Sequence, residues 1–198
     1  MVWIAVSCGA ATAFWYDKHN WLMDEAFSKT KADSFADRQS AKNSSFRVDL
    51  VSNDESSQFK HSMRPAGVST SEAQRKAEEY IESELKLAVA AAKAGPRHKG
   101  EAGKHVGLAL HAIQDRKHNW CSCNDSSNPP DSKDGCSSSA SGCAGAGRGN
   151  HGLSGCGPFA DDKNNFQHKT DRDPTDKQIS DTLGWSIDFL NRFVALAR

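Results

Sequence analysis

Residues 101–119 constrain this chain more than any other stretch. Val106, Leu108, Ala109, Leu110, Ala112 and Ile113 leave almost no polar face when wound at helical pitch. A helix apolar nearly all the way round belongs in an interior, so the other elements must wrap it. Yet it carries His111, Asp115 and His118. Positions i, i+4 and i+7 share one side of a helix, within about two turns. Two imidazoles and a carboxylate stranded in an oily setting cost several kcal/mol unless partnered. A divalent cation satisfies all three at once, and imidazole nitrogen with carboxylate oxygen suits Zn2+. The plainer alternative is a core group hydrogen-bonded within itself or to backbone.

Composition sharpens the question. Leu, Ile, Val and Phe make 32 of 198 residues, about 16%, below the rough 20% under which a chain struggles to bury a core. The 25 basic residues balance 25 acidic ones, so the high net charge of a disordered chain is missing. Thin apolar content with eight histidines and six cysteines points to a metal or disulfide staple. The same balance argues against a nucleic-acid surface that works by bulk charge. No run approaches the roughly 18–20 apolar residues that span a bilayer.

The periodicity elsewhere is helical, and the length suits one domain over residues 1–198. Residues 1–16 read as an amphipathic or buried first helix, an atypical export signal being the alternative since no basic residue precedes Lys18. Asp17 can cap a short helix through His19, Leu22, Met23, Ala26 and Phe27. Residues 28–62 are polar and broken, with Val48, Leu50 and Val51 as an apolar knot. Ser69 and Glu72 form a capping box before Ala73, Ala77, Tyr80, Ile81, Leu85 and Ala88, and Gly95-Pro96 stops that helix. A last helix starts at Asp173-Pro174, with Ile179, Leu183, Ile187, Leu190 and Val194 on one face. No β-alternation of useful length appears, so the expected class is all-α, one helical domain around the buried helix. Residues 119–172 form a long inserted loop. Within it, residues 121–157 hold five cysteines, eight Gly, nine Ser and one bulky aliphatic, Leu153. Cys121, Cys123, Cys136, Cys143 and Cys156 favour two disulfides over a structural zinc, because no C-x2-C spacing occurs. Cys8 is then the odd thiol. His98, in a polar turn, and His105, six residues before His111, read as structural.

Two motifs in order carry a resemblance. GLALHAIQD resembles the G-x-x-x-H-x3-D helix of the zinc-dependent phospholipase C and S1/P1 nuclease superfamily. Together with FKHSMRPAGVSTSEAQRKAEEYI it is more similar to the phospholipase-C-like domains at the C-termini of bacterial RHS-type polymorphic toxins. The resemblance covers roughly residues 45–120. It implies two or three Zn2+ ions, with His19, His61, His111 and Asp115 as ligands and Asp115 able to bridge. It further implies an upstream carboxylate, Asp49 fitting the spacing better than Asp54. His118, in His118-Asn119-Trp120, matches a nearby histidine of some relatives. The last ligands fall on His151 or on His168 with Asp171, Asp161 and Asp162 being further acids. Trp3 is the nearest match to the family's N-terminal tryptophan ligand.

The function implied is metal-dependent phosphodiester hydrolysis, with Asp49 or Asp54 orienting or deprotonating the attacking water. Phospholipid is the first substrate class and single-stranded nucleic acid the second. A non-enzymatic helical metal-binding or structural domain is the reading from another class. The resemblance also implies an exported or delivered effector, part of a longer polypeptide, with peripheral membrane contact and an immunity protein as partners.

Overall fold

Small apolar residues at three- and four-residue steps build the scaffold. The computed structural model describes residues 13–51, 55–62, 70–115 and 176–198. Among these residues there are five α-helices, three 3-10 segments and no strand. The helices are α1 (Ala13–Ser28), α2 (Arg38–Val51), α3 (Thr70–Lys93), α4 (Lys99–Asp115) and α5 (Asp176–Ala197). The 3-10 segments are Ala32–Ser34, Glu55–His61 and Pro96–His98. No helix among the described residues is long and apolar enough to cross a membrane.

The expected buried helix is α4. It packs against all four other helices and the Glu55–His61 segment, and eleven of its residues are buried. α3 precedes it through a tight turn in which Gly95 takes φ +110° and Pro96 opens the next segment. Only glycine reaches that region without steric penalty.

α2 corrects the sequence reading, in which residues 28–62 were polar and broken. Its inner face is Ala41, Ser44, Ser45 and Val48, all buried, and too small and polar to register as an apolar stripe. Contacts of Asp37 with Gly103, Ala41 with Gly107 and Ser45 with His111 advance together, so α2 runs parallel to α4. The approach is close because α4 has no β-carbon there. One added at Gly107 would lie 2.6 Å from the Ala41 carbonyl carbon and 2.5 Å from Ser44 Oγ. Ser44 Oγ has the Lys104 and Ser40 carbonyls at 2.9 and 2.8 Å, so its polar atom is satisfied inside the interface.

Two other expectations shift. The described part of α1 starts at Ala13, so Asp17 lies inside the helix and residues 13–16 continue it instead of preceding a cap; residues 1–12 lie outside the described residues. In α5 Leu190 and Val194 are buried as expected, but Leu183 and Ile187 are only partly so. The buried face is carried round by Thr182, Ser186, Phe189, Phe193 and Ala197. Ser186 can face inward because its hydroxyl donates to the Thr182 carbonyl at 2.9 Å. Ser69 and Asp173-Pro174 lie outside the described residues.

Among the described residues alanine supplies 11 of the 24 buried apolar ones, so the core there gains its contacts from closely approaching backbones more than from large side chains. A methyl at Gly107 should therefore be damaging. Gly107→Ala raises helix propensity by about 1 kcal/mol, but the clash is with backbone that cannot swing aside. A net loss of at least about 2 kcal/mol is expected in urea unfolding. At the start of α2, Asp37 Oδ1 accepts from Ser40 N–H at 2.7 Å and Ser40 Oγ at 2.6 Å. These bonds, the hydroxyl's first, hold the Asp37 carboxyl below its ordinary range, with Lys99 assisting. The cap thus stabilises fully above pH about 4 and fades as pH falls below that. Asp37→Ala should lose about 1 kcal/mol at pH 7 and progressively less toward pH 3, read from denaturation midpoints.

Candidate metal centre

α4 delivers two of four convergent side chains. His111 and Asp115 stand one turn apart, which puts His111 Nε2 3.1 Å from Asp115 Oδ2. His61 ends the Glu55–His61 segment, with its Nδ1 3.0 Å from His111 Nε2 and 3.3 Å from Asp115 Oδ2. The next residue anchors that segment. Ser62 adopts φ 49°, a left-handed conformation costing a non-glycine residue about 1 kcal/mol or more. Its buried Oγ donates to the Ala112 carbonyl of α4 at 2.6 Å, which offsets the strain and pins His61 in place. His19 comes from α1. Its ring stacks on His111 at 4.6 Å between centroids, and its Nε2 lies 3.4 Å from Asp115 Oδ1.

Asp115 is thus shared. Oδ2 faces His61 and His111, and Oδ1 faces His19. His61, His111 and Asp115 are fully buried and His19 nearly so. The outward nitrogens have partners of their own: His111 Nδ1 is 3.1 Å from Ser45 Oγ, and His19 Nδ1 is 2.7 Å from Gln114 Oε1. Such contacts fix ring orientation and leave the inner nitrogens aimed at the carboxylate. Where His111 Nε2 and His61 Nδ1 meet, a proton or a cation must lie between them, since two lone pairs repel.

The donor set fits a cation. The triangle of His61 Nδ1, His111 Nε2 and Asp115 Oδ2 has edges of 3.0, 3.1 and 3.3 Å. Tetrahedral zinc bonds of about 2.0–2.1 Å imply edges of about 3.3–3.4 Å. His19, His111 and Asp115 each bring a ligand atom within 4.8 Å of the others. Slight expansion of an existing cluster is all that is required.

Of the residues singled out in the sequence, His19, His61, His111 and Asp115 are brought together. Asp49 stands in the last turn of α2, one turn after Ser45, and its side chain lies outside the described part. His118, His151, His168, Asp54, Asp161, Asp162, Asp171, Trp3 and all six cysteines also lie outside the described residues. His105 faces two carboxylates away from the centre, its Nδ1 2.6 Å from Glu84 and its Nε2 3.0 Å from Glu101. Sequence reasoning missed Ser45, Ser62 and Gln114. Gln114 carried a signal, being a buried amide between two ionisable residues of one apolar helix; Ser45 lay in a helix that was not recognised. Comparison with family models, curated proteins and solved structures gives no match to this chain.

Zinc added to chelator-treated protein at 100 times its Kd should stabilise the fold by about 2.7 kcal/mol. That corresponds to about 5–10 °C in Tm for a chain of this size. Asp115→Asn keeps the shape but weakens the anionic ligand, and the shift should vanish. A wild-type Tm indifferent to zinc and other divalent cations would exclude the metal site.

Proposed function

We propose that this chain is a metal-dependent phosphodiester hydrolase of the zinc-dependent phospholipase C type, acting on phospholipid. The observation that carries the reading is the convergence of His61 and of His111 with Asp115. These residues come from two separate sequence motifs, and they meet at one buried point with His19 from a third element. The divided oxygens of Asp115 suit a bridging carboxylate, so more than one ion is part of the proposal. His118, His151 and His168 are the candidates to complete the set.

When bound, divalent cations supply positive charge against phosphate oxygens and lower the pKa of water. The residues of the chain do the rest. His19 and His111 present inner nitrogens whose direction is set from behind by Gln114 and Ser45, and His61 presents one held by the Ser62 anchor. Asp115 supplies the negative charge that makes the pocket selective for cations. Asp49, one turn beyond Ser45, is assigned to orient the attacking water and accept its proton.

A groove of about 670 Å³ supports an anionic substrate. It runs along Gly100, Lys104 and Leu108 of α4, ending one turn before His111, with Arg47 and Lys60 on its walls beside Glu84, whose carboxylate faces His105. Arg47 and Lys60 make no ion pair with a described residue, so their charge is available to a phosphate ester. Lys60 is also the neighbour of His61.

A second reading is favoured by the burial itself. Closed sites with fully buried ligands are commonly structural, and a chain with so thin a core would gain from a metal staple. One experiment separates the readings. Zinc-loaded protein is assayed for phosphocholine release from phosphatidylcholine vesicles and micelles, and for single-stranded DNA cleavage, beside Asp115→Asn. Phosphocholine release by wild type, lost in the variant, is the expected result. DNA cleavage alone reassigns the substrate to nucleic acid. Neither activity, with zinc bound at stoichiometry, makes the metal structural. By the same resemblance the chain is proposed to act as a delivered effector, with peripheral membrane contact and an immunity protein.

A further inference from the structure

Gln114 is buried, 3% exposed, between the two α4 residues of the centre. Its Oε1 lies 2.7 Å from His19 Nδ1, while its Nε2 has no hydrogen-bond partner among the described residues. Gln114 thus meets the ring with its amide oxygen. An amide oxygen only accepts, so a bond of this length requires a hydrogen on His19 Nδ1. In a neutral imidazole that leaves the Nε2 lone pair pointing at Asp115 Oδ1, 3.4 Å away. A lone pair facing a carboxylate oxygen in a buried setting is repulsive unless a proton or a metal cation sits between them.

The opposite amide orientation would have a different consequence. The NH2 group would donate to Nδ1, His19 would carry its hydrogen on Nε2, and Nε2–H would donate to Asp115. That network closes with no cation and removes His19 as a ligand. The choice between two tautomers thus rests on which end of one side chain faces one ring nitrogen.

We propose that Gln114 is a positioning residue that selects the Nδ1–H tautomer of His19 and so presents Nε2 to a divalent cation shared with Asp115. This rests on the metal reading of the centre. Ser45 stands in the corresponding place behind His111, at 3.1 Å from Nδ1. A hydroxyl both donates and accepts, however, so it does not impose a tautomer as an amide oxygen does.

The test uses the full chain, loaded with zinc and labelled with nitrogen-15 in its histidines. Wild type should show His19 with a protonated Nδ1 and a metal-bound Nε2 in long-range proton–nitrogen correlation spectra. Gln114→Leu removes the acceptor and should weaken zinc binding about 10- to 100-fold, as loss of an outer partner to a metal-bound histidine typically does. Gln114→Glu keeps an acceptor oxygen and should restore affinity to within a few-fold of wild type, with the same His19 tautomer. That rescue separates positioning from simple packing and keeps the proposal falsifiable if the leucine variant fails to fold. Wild type that binds zinc while His19 carries its hydrogen on Nε2 overturns the Gln114 assignment alone, as does equal zinc affinity in a folded Gln114→Leu protein. Wild type that binds no divalent cation overturns the metal reading and this proposal together.

Discussion

The structure turns on a carboxylate buried among imidazoles. Asp115 sits at the buried end of α4 with both oxygens directed at histidine nitrogens. An ionised carboxylate in such a place carries a desolvation penalty of several kcal/mol, which only close, well-directed partners offset. Those partners come from α1, from the Glu55–His61 segment and from α4 itself, so the chain must bring three distant stretches to one point.

Backbone proximity is the second constraint. With few large side chains, the interior is filled by alanine methyls and by helices that nearly touch. Gly103 and Gly107 let α2 lie against α4, and Ser44 spans the seam with its hydroxyl satisfied. The same closeness brings Ser45 to the back of His111. Gly107 stands one turn before His111, so the glycine that permits the packing and the histidine that uses it share one face of α4. Packing and site are one arrangement, and loosening the seam would move a ligand.

Legibility in the sequence followed the size of the local signal. α3 and α4 were readable because Ala73, Ala77, Ile81 and Leu85, and then Val106 through Ile113, repeat at helical spacing with strong apolar contrast. α2 was not, because Ala41, Ser44 and Ser45 are small or polar and their burial depends on glycines some 60 residues away. On α5 the buried face turned from the expected one toward Phe189 and Phe193, because Ser186 could face inward once its hydroxyl was bonded to the Thr182 carbonyl. Within the centre, His111 and Asp115 were evident from spacing alone. His19 and His61 were reached only through a resemblance, since nothing local ties either to α4.

What the sequence determined by itself was the helical class that the described residues show, and the paradox at its heart: ligand-type residues on a helix whose apolar content holds it in the interior. Those properties depend on neighbours within a few turns, where periodicity and propensity are expressed. The tertiary structure alone decided which histidines face Asp115, which of their nitrogens point inward, and that Ser45, Ser62 and Gln114 hold them there. Contacts across 50 to 95 residues of chain leave no periodic trace, because they are set by how closely whole helices pack.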